Sequence, residues 1–558
     1  MDRRQFIHLG GLSLASLFVT RHSFTRPSSP KGQLMRQPDN VTAILNGQVV
    51  HLRPDGTARW TYNELVVAVL ERNTTLAVEV EAPGASLSEV ALHWKAIDKA
   101  SKRILNDQWE RTYADVSWHA PRDSEILPWY FMDYSNGGTS GFGVKTGTRS
   151  MCYWSVQGNN MKLTLDTRSG GNGVQLGDRK LLAAEIVVTQ SSEGETPFQT
   201  LRRFVGLMCD RARMPLHPVY GINDWYFTYG HNSADLILQH TALMAPFAEG
   251  LSNRPFSVVD SGWYRKAPVS PDDCCWGDTM AEADTRFGNM ATLAGHIKQL
   301  GMRPGIWTRP LCGSHRDPRL LMLPVIHGRD ERFPVLDPTI PENLERVREY
   351  FRLYREWGYE LVKFDFTTWD IFGKWGFEML RDRMMTEPGW SMHDSSRTNA
   401  EIVLSLYETI REAAGDTCVI SCNTFSHLSA GLFELNRIGD DTSGLEWDRT
   451  RRMGVNTLAF RGVHQGAFYA ADPDCVGLTT KVPWQKNKQW MQLVASSGTP
   501  LFISAQPEAV QAEQKAAIRE SFALASRPLP LGEPLDWMES PVPSKWKLDG
   551  RIVDFDWT

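Results

Sequence analysis

Long runs of one kind are missing from this chain of 558 residues. No block of Lys and Arg occurs, and the formal charge is −5, from 60 Lys+Arg against 65 Asp+Glu. Nucleic-acid binding needs a basic face, so no nucleic-acid partner is expected. No apolar run approaches the ~20 residues that a spanning helix requires, so no integral membrane span is expected. Cysteine is sparse, at Cys152, Cys209, Cys274, Cys275, Cys312, Cys418, Cys422 and Cys475. None of these forms a C-x-x-C pair or a zinc pattern with His, so neither a metal nor an organic cofactor is expected. No G-x-G-x-x-G opens a helix after a strand, and no repeat recurs at a fixed period. The 44 Gly and 31 Pro are average fractions, which removes collagen-like and broadly disordered readings.

What is present is ordinary globular material, 42% hydrophobic and 22% charged. At roughly 100–200 residues per domain, this length suits several domains. The 20 Trp exceed average usage and suit either a large core or the stacking of sugar faces. At the N-terminus, Arg3-Arg4 precedes an apolar stretch over 7–19 and a polar exit at Thr20-Arg21-His22. That pattern reads as a twin-arginine signal peptide over 1–26 and predicts a periplasmic or secreted product. No Cys follows closely, so a lipid anchor is not expected.

Residues 40–212 read as an antiparallel β-sandwich. Alternation at 76–82 and 161–166 is separated by turn clusters such as 135–138 and 169–173. From 215 to 527 the texture becomes a β/α series, with strands near 221–226, 256–260, 303–307, 361–365, 418–422, 435–440, 466–470 and 499–504. Helices over 290–300, 341–355 and 401–414 fall between them. The rhythm predicts a (β/α)8 TIM barrel, with a doubly wound sheet as the alternative. Residues 528–558 are Pro-rich, with a turn at Asp549-Gly550, and predict a short β tail.

In a barrel, side chains at the C-terminal strand ends converge on one mouth. Those ends carry Asp224, Trp225, Asp260, Trp263, Trp307, Lys363, Asp365, Arg437, Asp440, Asp441, Asp472 and Asp474. Glycoside hydrolysis needs two carboxyl groups flanking a glycosidic bond, one ionised and one protonated. A cation beside one and an apolar setting around the other would divide the roles. Each group also has a structural reading: an Asp can cap a helix, Arg437 and Asp440 can form an ion pair, and Asp472-Pro473-Asp474 can be a turn.

As an ordered set, these strings resemble retaining α-galactosidases of glycoside hydrolase families 27 and 36. Asn106-Asp-Gln-Trp-Glu-Arg111 is similar to a segment of the family 36 N-terminal domain. Asn223-Asp-Trp225, Asp260-Ser-Gly-Trp263, Arg303-Pro-Gly-Ile-Trp307 and Leu336-Asp-Pro-Thr-Ile-Pro341-Glu resemble successive barrel motifs. Val362-Lys-Phe-Asp365 resembles the nucleophile strand, Arg437-Ile-Gly-Asp440-Asp441 the acid/base strand, and Asp472-Pro-Asp474 a late motif. The resemblance implies Asp365 as nucleophile and Asp440 as acid/base, with its neighbour Asp441 as the second candidate. It implies sugar contacts from Lys363, Arg437, Asp260, Asp224, Cys422 and Asp474, and pocket walls from Trp225, Trp263 or Trp307. The implied substrate is an oligosaccharide or glycoside with a terminal α-linked sugar. Three departures stand out: Ser261 replaces an Asp, Arg309 replaces a Glu, and Cys422-Asn-Thr-Phe425-Ser-His427 replaces a glycine-rich stretch. A full C-terminal β-domain is not expected in the last thirty residues. The competing readings are another α-glycosidase or transglycosylase, and a catalytically silent carbohydrate-binding relative.

Overall fold

A computed structural model describes residues 36–558 other than 96–102, 136, 266–276, 278, 314–322, 327 and 330–333. The proposed signal over 1–26 and Cys274 and Cys275 lie outside the described residues. Residues Gln37–Thr558 form one compact unit.

Strands between Asn40 and Gln190 make two eight-stranded antiparallel sheets. The sheets meet through aromatic rings: Phe131 and Phe142 of one lie 5.9 and 6.2 Å from Trp154 of the other. Asn63 and Asn73 take positive φ at tight turns, where Asn tolerates the left-handed region. The helix Pro197–Met208 then leads away, started by a capping box between Thr196 and Gln199 and by Pro at its first position. Its Phe204 seats where a Cβ on Gly141 would lie 2.7 Å away, so only glycine permits this close approach.

The second half is a ring of parallel strands. We number them β1 (Tyr220–Asn223), β2 (Phe256–Val259), β3 (Arg303–Thr308), β4 (Leu361–Phe364), β5 (Cys418–Ser421), β6 (Leu435–Arg437), β7 (Ala470–Asp472), β8 (Cys475–Leu478) and β9 (Leu501–Ala505). Each pairs with the next from β1 to β7, β8 pairs with β9, and β9 returns to β1. The break between β7 and β8 is two residues: Pro473, which has no N–H to donate, and Asp474 at φ +76°. One interrupted strand therefore fills a single ring position, and the ring has the eight positions of a TIM-like barrel. The seventh strand begins later than 466–470 because Gly466, at φ +75°, turns the chain back on Tyr469. Asp472 and Asp474 consequently sit at a strand break rather than in a surface turn.

Helices Met290–Gln299, Pro341–Glu356 and Asn399–Ala414 match the predicted ones within two residues. The C-terminus adds a three-stranded antiparallel sheet, Glu533–Pro534, Lys545–Leu548 and Arg551–Asp554, turned at Asp549 and Gly550, both at positive φ. Among the described residues, no helix is long and apolar enough to cross a membrane.

Candidate active site

The barrel interior dictates which side chains reach the mouth. Phe256, Val258, Leu361, Ile420, Leu435 and Ala470 share one buried interior cluster. Side chains alternate along a strand, so positions two and four further on share the same face and rise above the core. Asp260 thus follows Val258, Lys363 and Asp365 follow Leu361, Cys422 follows Ile420, Arg437 follows Leu435, and Asp472 follows Ala470. On β3, a Cβ at Gly305 would meet Val258 and Leu361 at 2.9 and 3.2 Å, so Trp307 rises in register too. One sequence rule places the whole ring.

Asp365 leaves β4 half-buried. Its Oδ1 accepts from the Phe366 N–H at 2.8 Å, and its Oδ2 accepts more loosely from the Trp307 indole N–H at 3.3 Å. Phe366 is held at φ +66°, a costly conformation for a bulky residue that folds its own N–H back onto the carboxylate. The Arg309 guanidinium lies 4.0 Å from the Phe366 ring centroid and is paired at 2.6 Å with buried Asp370. Arg309 therefore braces the turn beneath Asp365, and its charge is matched.

Lys363 reaches Asp260, Nζ to Oδ2 2.8 Å. Burial works against the ammonium charge, but Asp260, with Cys422 and Asp365, overrides it and holds the lysine well above its ordinary pKa. Asp260 also accepts from Asn223 Nδ2 at 2.6 Å and from the Ser261 N–H at 2.8 Å. Asp224 sits deeper, accepting from Asn232 Nδ2 at 2.7 Å, Thr228 Oγ1 at 3.1 Å and the Asp260 N–H at 2.7 Å. Burial, and then the charge of Asp260, push Asp224 up to about 6. These contacts tie the β1 and β2 loops together.

Arg437 is buried and divides its guanidinium between Asp474 Oδ1 at 3.0 Å and Asp441 Oδ1 at 3.0 Å. Asp474 is further held by the Tyr226 hydroxyl, the Thr442 N–H and the Thr442 hydroxyl. The Cys422 thiol faces Arg437 at 3.7 Å and Arg111 at 4.0 Å. Burial first, and then Asp365, raise its pKa well above the usual thiol value, so it is a neutral thiol in the wall.

The two adjacent aspartates differ. Asp440 has both oxygens taken, by Arg111 Nη2 at 2.9 Å and Arg449 Nη2 at 2.7 Å, and its side chain is 14% exposed. Asp441 is 38% exposed and meets Arg437 at 3.0 Å and Arg111 at 3.6 Å. Burial pushes Asp441 up, but Arg437, Arg111 and Lys363 outweigh it and hold the carboxyl below the ordinary carboxylate range.

Arg111 is the residue that barrel reasoning misses. It arrives from the N-terminal half on a strap, residues 107–113, whose Thr112 exchanges backbone hydrogen bonds with Ile438 and Asp440 at 3.1 and 2.8 Å. Arg461 fastens the strap by pairing with Asp107 at 2.8 Å. The sequence signal was the motif resemblance at 106–111, which carries no strand-end position.

The tryptophans separate into two groups. Trp263 is fully buried, gives its indole N–H to the Trp307 carbonyl at 2.7 Å and packs edge-on against Tyr354 and Trp357. It backs Trp307, which is fully buried as well and meets the site through its indole N–H on Asp365, so neither ring is an open wall. Trp225, Trp369 and Trp375 are half-buried, and Trp375 lies 5.8 Å from the Arg111 guanidinium. Ser261 is buried with its hydroxyl 2.9 Å from Tyr264 OH. Among the described residues, no cluster of His, Cys, Asp and Glu is placed to hold a metal ion.

No protein-family model matches the chain. A segment of 160 residues, 27% of the chain, is 28% identical to an α-galactosidase of Escherichia coli and spans 21% of that protein. Among solved structures, the fold is similar to an α-galactosidase from Thermus thermophilus in complex with p-nitrophenyl α-D-galactopyranoside. That match has a TM-score of 0.59 at 18% identity, covering 92% of this chain and 98% of the other. It is also similar to a family 36 α-galactosidase from Geobacillus stearothermophilus bound to 1-deoxygalactonojirimycin, with a TM-score of 0.56 at 14% identity, covering 86% and 69%. An α-galactosidase from Lactobacillus brevis matches with a TM-score of 0.54 at 14% identity, covering 89% and 70%. The chain resembles family 36 α-galactosidases in fold.

Proposed function

We propose that this chain is a retaining α-glycosidase acting on terminal α-galactosides, with Asp365 as nucleophile and Asp441 as acid/base. The observation that carries the reading is the contrast in access among the mouth's carboxylates. Asp224, Asp260, Asp472 and Asp474 are sealed by protein, and both oxygens of Asp440 are held by arginines. Asp365 and Asp441 are the carboxylates left with an open side. This moves the acid/base role from Asp440, the first choice on sequence, to its neighbour.

In the first displacement the less tightly held Oδ2 of Asp365 attacks the anomeric carbon. The bond from that carbon to the leaving oxygen breaks, and Asp441 gives its proton to that oxygen. In the second, Asp441 takes a proton from water as the water oxygen attacks the same carbon and the ester to Asp365 breaks. The cations that depress Asp441 favour its base form in the open site. Substrate filling the mouth displaces water and raises the cost of charge there, which returns the carboxyl to its acid form. Lys363 and Arg437 neutralise the surrounding carboxylates, and Lys363, less deeply buried than Arg437, offers a donor to a sugar hydroxyl. The half-buried rings of Trp225, Trp369 and Trp375 are the sugar-facing walls in this reading.

A panel of nitrophenyl α- and β-glycosides tests it. Release is expected from the α-galactoside first. Release from another α-glycoside alone would make this a related enzyme of different specificity. Binding without release from any would make it a silent relative.

The two N-terminal sheets are read as a β-sandwich domain and the last three strands as a short tail. Arg3-Arg4 is read as an export signal to the periplasm or beyond. Replacing both with Lys is expected to leave the protein in the cytoplasm, and unchanged export would overturn that reading.

A further inference from the structure

The strap carries a second ionisable group, one residue before Arg111, that the proposed chemistry does not use. Glu110 is fully buried. Its Oε1 accepts from the Tyr113 hydroxyl at 2.6 Å and from Asn423 Nδ2, and its Oε2 accepts from the Gly376 N–H at 2.9 Å. Arg111 Nε lies 3.6 Å from Oε1 and, among the described residues, has no hydrogen-bond partner. The Glu110 carbonyl accepts from Arg461 Nη1, so the residue is fixed at both backbone and side chain. Glu110 therefore touches the sheet-domain strap, the loop after β5 and the helix Gly376–Asp382, while Arg111 beside it touches Asp440 and Asp441.

We propose that Glu110 is a positioning residue: it aims Arg111 at the acid/base carboxylate and shares that guanidinium's charge with it. The inference rests on the glycosidase reading above. An ionised Glu110 draws part of Arg111's field away from Asp441, so Asp441 keeps its proton to higher pH than a lone arginine would allow. The packing is too tight for an alternative pose, since a Cβ on Gly376 would lie 2.7 Å from Glu110 Cγ. The charged and titratable groups around Glu110 are Arg111 and Tyr113 on its own strap, Asp440 after β6, Tyr407 on helix Asn399–Ala414, and Arg461, which meets the Glu110 carbonyl. Asn423 and the Gly376 N–H are neutral donors. Burial outweighs Arg111 and these donors and pushes Glu110 up to about 7, so its charge changes in the range where an enzyme of this kind would work.

The test compares pH profiles of kcat and kcat/KM on an aryl α-galactoside for the wild type, Glu110→Gln and Gly376→Ala. Gln keeps the shape and an acceptor oxygen but removes the charge. The alkaline limb, which reports loss of the acid's proton, is expected to move to lower pH by about half to one unit in Glu110→Gln. In Gly376→Ala, displacement of Glu110 should lower kcat more than it changes KM. A lower melting temperature or lower kcat in Glu110→Gln with an unmoved limb would make Glu110 merely structural and overturn the inference. An inactive wild type would instead remove the α-galactosidase reading and the inference with it.

Discussion

Arg111 of the N-terminal half lies 2.9 Å from Asp440 of the barrel, and the same guanidinium lies 3.6 Å from Asp441. The barrel mouth is therefore completed by a residue from outside the barrel, carried on a strap that hydrogen-bonds edge to edge with the chain after β6. Asp440 is the fixed counter-charge in this arrangement and Asp441 the group left accessible.

Arg111→Gln removes one cation from the pair. Asp441 should then hold its proton more tightly, and the alkaline limb of kcat/KM should rise by about one pH unit, opposite to the shift expected for Glu110→Gln. Breaking a buried ion pair should also cost about 3 kcal/mol of stability, read as a lower denaturant midpoint. A limb that stays in place would show that Arg111 does not tune the acid.

Asp224 predicts a pH signature in stability. Its folded pKa, about 6, lies above the ordinary aspartate value of 3.8, so the folded state binds its proton more tightly than the unfolded chain. Its contribution is present below about pH 4 and is lost as pH rises through about 6. Asp224→Asn should therefore gain on the wild type, in urea unfolding, by up to about 3 kcal/mol between pH 4 and pH 7. A constant difference across that range would contradict the shift.

Gly439 pairs with Thr112 where strap and barrel meet, and a Cβ there would lie 2.1 Å from the Thr457 hydroxyl. Gly439→Ala must push the strap or Thr457 aside. It should lose about 1–3 kcal/mol of stability and lower kcat by moving Arg111 away from Asp441. Unchanged kcat alongside a lowered melting temperature would separate the strap from catalysis.

Ser261 stands where the resembling family has an Asp, which suggests Ser261→Asp as a repair. The structure argues otherwise: Ser261 is buried against Tyr264 and borders Asp260, whose carboxylate is already satisfied. Among the described residues, the nearby cations Lys363 and Arg286 already pair with Asp260 and Asp284. The variant is expected to lose stability and to leave kcat/KM on an α-galactoside unchanged or lower, measured by melting and steady-state rates. An increase in kcat/KM would mean the pocket opens further than this structure shows.

The barrel ring was legible because strand periodicity and strand-end position are local properties. Leu361, Lys363 and Asp365 lie on one face of β4 whatever surrounds them. Four features were not legible for the same reason. Arg111 reaches Asp440 across more than three hundred residues of sequence, and no local pattern encodes that approach. Trp263 reads like a wall but is buried, because Tyr354 and Trp357 of a later helix and its end close over it. Asp440 and Asp441 have the same chemistry one residue apart, and only the positions of Arg111, Arg449 and Arg437 tell them apart. The late seventh strand depends on the turn at Gly466, which resembles a strand start in sequence.

The most direct test of the catalytic pair is the anomeric configuration of the galactosyl azide formed from an activated aryl α-galactoside. Asp365→Ala leaves space for azide to attack the anomeric carbon once, giving the inverted β-azide while ordinary turnover is lost. Asp441→Ala still forms the covalent intermediate, because a phenolate leaves unaided, and azide then releases it as the retained α-azide. Those two products from those two variants are the predicted result. Undiminished turnover of ordinary galactosides by Asp365→Ala, or the α-azide arising from Asp440→Ala with Asp441→Ala fully active, would contradict the account.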